Sequence, residues 1–248
     1  MDLKPTPDVL RIALVQPHSF SPTAFPGGRG AEGPGERENL RIAAEYVQES
    51  VEQGADLVVF PELFPGPVIE STELTAEEVQ AEIQRLAHQA GLIIGFGSAC
   101  REPAGVRNTY SLAFPGGTVH TYTKMVLAMS EREAIAGERL MVVDMGKAKI
   151  GLGICWEAWF PEVARALTLQ GAEVILFPSG GLIYELHEVW AAVLQARAAE
   201  NVAYVAATVR IFGAEDGMAY VFGPEGAKAC LYDEGIVTVD LDLAALRE

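Results

Sequence analysis

Two rhythms of apolar residues alternate along the chain. Short β-rich runs, such as Leu10-Arg-Ile-Ala-Leu-Val15 and Asp56-Leu-Val-Val-Phe60, read as buried strands. Between them, Leu40, Ala43, Ala44, Val47 and Val51 recur at i, i+3, i+4, i+7 and i+11, which is one face of an amphipathic helix ended by Gly54. A second helix is predicted over residues 75–90 with Gly91 behind it, followed by a strand over 92–96. Two β-like runs flank Pro115-Gly116-Gly117 and predict a hairpin over residues 108–122. Further strands are expected over 149–154, 174–177 and 202–209. Helices are expected over 161–170 and around Leu186, Val189, Trp190 and Val193. Closing strands are expected over 220–222 and 235–239, around Pro224-Glu-Gly226. Residues 22–38, rich in Gly and Pro, read as a loop. This alternation predicts one α/β domain of mixed sheets covered by helices.

Composition narrows the function. The chain has 248 residues, which fits one domain or two at roughly 150 residues each. No linker divides it, so a single domain over 1–248 is expected. The 18 Lys and Arg against 34 Asp and Glu give a net charge of −16. That balance argues against nucleic acid and against an anionic membrane surface as partners. No apolar run is long enough for a membrane span, and no signal-peptide core follows the first residues. Cys100, Cys155 and Cys230 are widely spaced and read as free thiols in a reducing cytoplasm. The four histidines lack paired ligand spacing, so no metal site is expected.

Three strand-like runs end on a reactive side chain: Val58-Val59-Phe60-Pro61-Glu62, Thr121-Tyr122-Thr123-Lys124 and Ile150-Gly-Leu-Gly-Ile-Cys155. Strand ends are where catalytic groups collect in α/β sheets. A thiol, a carboxylate and an ammonium together suit acyl chemistry: nucleophile, proton carrier and oxyanion stabiliser. Taken singly, each has an ordinary structural explanation, and Cys100 and Cys230 are read as inert. Gly151-x-Gly153 lacks the third glycine of a dinucleotide loop, and Pro178-Ser179-Gly180-Gly181 is not a Gly-x-Ser-x-Gly elbow.

In order along the chain, these stretches resemble the carbon–nitrogen hydrolase (nitrilase) superfamily. The likeness rests on Arg11-Ile-Ala-Leu-Val-Gln16, Gly54-Ala-Asp-Leu-Val-Val-Phe-Pro-Glu-Leu63, Asn108-Thr109, Pro115-Gly-Gly and Tyr122-Thr-Lys124. It continues through Gly151-Leu-Gly-Ile-Cys-Trp-Glu-Ala-Trp-Phe-Pro-Glu162, Gly171-Ala-Glu-Val-Ile-Leu-Phe-Pro-Ser179, Ala196-Arg-Ala-Ala-Glu-Asn201 and Gly223-Pro-Glu-Gly226. The resemblance implies a four-layer α-β-β-α sandwich that pairs with a second copy through its outer helices, as a homodimer or a larger even oligomer. It makes Cys155 the nucleophile, Glu62 the general base and acid, and Lys124 the oxyanion stabiliser, helped by the Trp156 N–H. A further glutamate falls on Glu131 or Glu133, with Glu131 preferred by its spacing to Gly137. Trp156, Trp159 and Ser179 are expected to bind substrate. No metal or organic cofactor is implied.

Two departures bear on the substrate, a small amide or nitrile. Many family amidases follow the cysteine with Tyr-Asp-x-Arg, whereas this chain reads Trp156-Glu157-Ala158-Trp159. The asparagine usual in the nitrilase branch is Ala158. The reading favours an amidase over a nitrilase, acting on neutral or apolar acyl amides, unless another residue such as Arg210 supplies a carboxylate clamp. Two readings of other classes stand beside it: a papain-like hydrolase pairing Cys155 with a histidine such as His187, and a non-catalytic scaffold.

Overall fold

A computed structural model of the chain describes residues 8–21, 31–32, 35–68, 73–131, 133–180, 186–211 and 217–248. In chain order, the first half contains β1 (Val9–Gln16), the two-residue strands β2 (Phe20–Ser21) and β3 (Ala31–Glu32), α1 (Glu36–Glu52), β4 (Leu57–Val59), α2 (Ala76–Ala90), β5 (Ile93–Glu102), β6 (Gly105–Ala113) and β7 (Val119–Thr123). The second half contains β8 (Met141–Asp144), β9 (Lys149–Leu152), α3 (Pro161–Leu169), β10 (Val174–Leu176), α4 (His187–Asn201), β11 (Tyr204–Ala207), β12 (Ala219–Gly223), β13 (Gly226–Leu231), β14 (Gly235–Asp242) and α5 (Leu243–Arg247).

Two six-stranded sheets result, ordered β14-β1-β4-β5-β6-β7 and β13-β12-β11-β10-β9-β8. Each is parallel at its centre and antiparallel toward its edges: β1, β4 and β5 run together, as do β9, β10 and β11. The inner faces of the sheets pack through Leu10, Ile12, Leu14, Leu57 and Val59 against Ile150, Leu152, Val174, Leu176 and Val221. Helices α1 and α2 bury Leu40, Val47, Val79 and Ile83 on the outer face of the first sheet. Helices α3 and α4 bury Val163, Leu167, Trp190 and Leu194 on the outer face of the second. These three apolar seams make the expected four layers. Central strands with both faces covered must be apolar throughout, which is why they read as continuous runs rather than alternating ones.

Local chemistry explains several boundaries. Helix α2 starts at a reciprocal cap between Thr75 and Glu78 and stops at Gly91, whose φ is +70°. Helix α3 takes Pro161 in its first turn. The expected hairpin is present as β6 and β7 around Pro115-Gly-Gly. Strand β13 and helix α5 are absent from the sequence reading, and three further differences are instructive. Helix α1 begins at Glu36, inside the stretch that reads as a loop; residues 22–30, 33 and 34 of that stretch lie outside the described residues. Strand β5 continues six residues past Phe96 and forms a second hairpin with β6, hidden because Gly97-Ser-Ala-Cys-Arg-Glu102 has little apolar patterning. Strand β8 pairs at a sheet edge and is only partly buried, so it too carries little signal.

Candidate active site

The two sheets bring Glu62, Lys124 and Cys155 to one end of the sandwich. Glu62 lies just beyond β4, in a segment fixed at both sides. The Phe60 N–H donates to the Gly95 carbonyl at 2.9 Å, and the Tyr110 hydroxyl donates to the Phe60 carbonyl at 2.8 Å. A side chain at Gly97 would collide with the backbone of Glu62 and Leu63, so β5 can pass this close only with glycine there. Leu63 itself adopts φ +56°, a left-handed conformation that costs a residue of this type about 1–3 kcal/mol.

Lys124 follows directly on β7 and is 1% exposed. Its Nζ lies 2.8 Å from Glu62 Oε1 and 2.8 Å from Glu131 Oε2. Asn108 on β6 completes the cluster, donating its Nδ2 to Glu62 Oε1 at 2.6 Å and to Glu131 Oε1 at 2.7 Å. Glu131 closes a short 3-10 turn, Met129–Glu131, and also accepts the Ala128 N–H at 2.8 Å. Glu133, the competing position, is exposed. Burial opposes the charge on Lys124, but Glu62, Cys155 and Glu131 outweigh it and hold the ammonium well above its usual range. Burial likewise opposes ionisation of Glu62. Lys124, Asn108 and Arg210 outweigh it, so Glu62 sits below the usual carboxylate range.

Cys155 comes from the second sheet. It opens a 3-10 turn, Cys155–Trp159, shortly after the end of β9, with φ +48°. Its N–H donates to the Pro178 carbonyl at 2.9 Å. A sharp, strained turn after a strand presents a nucleophile clear of the sheet. Burial and the Glu62 charge push the thiol up to about 12, while Lys124, the Gly180 backbone and the Ser179 hydroxyl pull it down. The resting site therefore pairs a neutral thiol with an ionised glutamate. Gly180 lies close to the carboxylate: a β-carbon there would stand 2.7 Å from Glu62 Oε2.

Glu157, two residues past the cysteine, is completely buried. Its carboxylate accepts the Met125 and Val126 N–H groups at 2.9 and 3.0 Å, the Ile154 N–H at 2.7 Å and the Tyr122 hydroxyl at 2.8 Å. One side chain thus ties the residues after Lys124 to the residue before Cys155. In the sequence it reads only as a departure from a motif. Asn108 reads as part of a motif, with nothing there to place it in the site.

The remaining expected residues fall into two groups. Trp156 is 36% exposed on the turn that Cys155 opens and stands 6.0 Å from Trp159 and 6.2 Å from Phe160, ring centre to ring centre. Ser179 is completely buried, and its hydroxyl donates to the Phe177 carbonyl at 3.1 Å. Arg210 is 2% exposed and donates Nη1 to the Leu63 carbonyl at 3.1 Å. Among the described residues, no group of three or more His, Cys, Asp or Glu side chains is placed to hold a metal ion. No described helix is long and apolar enough to cross a membrane.

A thiol, a buried glutamate–lysine pair and a second glutamate at one end of a two-sheet sandwich fit a cysteine hydrolase. Residues 11–248 match the carbon–nitrogen hydrolase family, and the chain belongs to that family. It is 31% identical to the omega-amidase YafV of Escherichia coli, across 79% of this chain and 80% of that one. It is 30% identical to a nitrilase of Pyrococcus abyssi, across 74% and 72%. The amidase from Nesterenkonia sp. AN1, solved in complex with acrylamide, superposes with a TM-score of 0.82 at 25% identity, covering 99% of this chain and 96% of that one. The curated relatives are predominantly amidases, and the chain is an enzyme of the amidase type.

Proposed function

We propose that the chain hydrolyses small neutral amides through a thioester on Cys155. The observation that carries this reading is the convergence of Cys155, Glu62 and Lys124, with an ionised carboxylate beside a protonated thiol. Glu62 takes the thiol proton as Sγ bonds to the amide carbon. The carbonyl electron pair moves onto oxygen, where Lys124 Nζ and the Trp156 N–H receive the charge. Glu62 then protonates the leaving nitrogen, the carbon–nitrogen bond breaks, and ammonia or an amine departs. Water attacks the thioester, Glu62 accepts its proton and passes it to the departing sulfur, and a carboxylic acid is released. Glu131 and Asn108 hold Lys124 and Glu62 in register throughout, and Ser179 steadies the sulfur.

The acyl side is apolar. Trp156 and Trp159 offer flat aromatic surface at the position where many relatives carry arginine, and an indole cannot grip a carboxylate as a guanidinium does. The Nesterenkonia amidase, which binds butyramide, supports this choice. We place the enzyme in a reducing cytoplasm, in keeping with three free cysteines. We also propose an even oligomer formed through α3 and α4, where Leu169, Val189 and Val202 are exposed. Sedimentation as a monomer at micromolar concentration would contradict the oligomer. The test of function is ammonia release from butyramide and from succinamate, which differs by a carboxylate. Cys155→Ala should abolish turnover with the fold retained, while Cys100→Ala and Cys230→Ala keep it. Butyramide should be the better substrate; a clear preference for succinamate defeats the apolar reading.

A further inference from the structure

Arg210 is one of the largest fully buried side chains in the protein, and the chemistry above leaves it unused. Its position follows from the second sheet. Ser179 and Val209 pair as neighbouring extended backbone, and the Ser179 N–H donates to the Thr208 carbonyl at 2.8 Å. That pairing sets Arg210 beside Gly180. A β-carbon on Gly180 would lie 3.6 Å from Arg210 Nη2 and 2.7 Å from Glu62 Oε2, so cation and carboxylate share the space this glycine leaves open. On the other side, Nη1 is bonded to the carbonyl of Leu63, the strained residue directly after Glu62. Lys124 approaches the opposite oxygen, Oε1. Glu62 therefore has a cation bonded at Oε1, from the first sheet, and a second cation across Gly180 from Oε2, from the second.

We propose that Arg210 is a positioning residue for the general base. It pins the Glu62 loop through the Leu63 carbonyl and sets a fixed positive charge across Gly180 from the carboxylate. This rests on the reading of Glu62 as base and Cys155 as nucleophile. The groups that face the guanidinium among the described residues are Glu62 and Cys155, with Lys124 and Glu131 beyond Glu62. Burial lowers the guanidinium to about 10 while Glu62 and Cys155 work the other way, so it is charged at neutral pH. A fixed positive charge here stabilises Glu62 as carboxylate before attack and the thiolate during it.

The experiment follows alkylation of Cys155 by iodoacetamide from pH 4 to 9, read by peptide mass in the full-length protein, so that no substrate is needed. In the wild type the rate falls on the acid side as Glu62 takes up a proton. Arg210→Gln keeps a donor for the Leu63 carbonyl but removes the charge. Its acid limb should move up by about one pH unit, so that alkylation on the limb itself is slowed up to about tenfold while the rate near pH 7 changes little. Arg210→Lys, which keeps the charge, should stay within about threefold of the wild type. A folded Arg210→Gln protein with an unchanged limb overturns the proposal. If Arg210→Gln does not fold, Arg210→Lys decides alone, and an acid limb displaced by a full pH unit with the charge intact overturns it. Turnover surviving Cys155→Ala would instead sink the underlying reading, a result the alkylation profile cannot imitate.

Discussion

Glu62 and Glu157 are both carboxylates buried at the same end of the sandwich, yet they are held in opposite ways. Glu62 faces side chains: an ammonium, an amide and a guanidinium close by. Glu157 faces mainly backbone, with three N–H groups and one tyrosine hydroxyl, and no cation among the contacts that hold it. The charged neighbours pull Glu62 below the ordinary carboxylate range. Burial leaves Glu157 above it despite four donors. A carboxylate gripped by fixed amides, with no thiol beside it, serves as a rivet between two chain segments. One balanced between movable charges, and next to a thiol, can trade its proton. Burial alone does not separate a base from a structural acid; the nature of the donors does.

The strongest way to break this comparison is to neutralise each acid. Glu62→Gln should cut turnover by about 10³-fold, within the usual range for a lost general acid–base group. Lys124 keeps Glu131 as its partner in that variant, so thermal unfolding should move by only a few degrees. If the variant hydrolyses amides at the wild-type rate, Glu62 is not the proton carrier. Glu157→Leu reverses the pattern. It keeps the volume but strands several buried donors at about 1–3 kcal/mol each, so urea unfolding should register a loss of several kcal/mol. A variant as stable and as active as the wild type would remove the rivet.

A subtler effect sharpens the comparison through pH. Both acids start from an ordinary value of 4.5. For Glu62, lowered in the fold, the unfolded chain binds the proton first. Its stabilisation is full above 4.5 and is lost as pH falls through its lowered value. For Glu157, raised in the fold, the native state binds the proton first, so its contribution is full below 4.5 and fades as pH rises through its raised value. Denaturation series should therefore show the wild type losing stability faster than Glu62→Gln below pH 4.5. It should gain on Glu157→Gln as pH falls from neutrality toward 4.5. A tenfold difference in proton affinity between the folded and unfolded chain corresponds to about 1.4 kcal/mol. Parallel curves for all three proteins would erase the distinction.

These two residues also mark how far the sequence can be read. The strands leading to Glu62 and Cys155 are visible because doubly covered strands are apolar throughout, and a polar residue at their end stands out. Lys124 ends the edge strand β7, which shows instead through the hairpin around Pro115-Gly-Gly. The four layers follow from the resemblance, and three apolar seams fill them. Asn108, Glu157 and Arg210 give no such contrast. Each is a polar residue whose partners lie 46, 32 and 147 positions away, in contacts that only the assembled sheets create. Glu131 and Glu133 are two residues apart and differ in which of them reaches Lys124, a matter of turn geometry rather than composition. Strand β8 and the extension of β5 escape the sequence for a related reason: partly buried or weakly apolar residues write no clear period.

The pairing of β1 with β14 has a consequence for how the chain comes into being. Their side chains meet across 229 positions, at Arg11 and Asp240, and the Leu243 N–H donates to the Asp8 carbonyl at 2.7 Å. During synthesis β1 must wait for Gly235–Asp242 to emerge before it gains its outer neighbour. Until then its edge is bare, apolar and able to recruit a strand from another nascent chain. The most vulnerable moment for this protein therefore falls on the ribosome, with the strands that carry all three chemical groups already made and the strand that seals the sheet still to come.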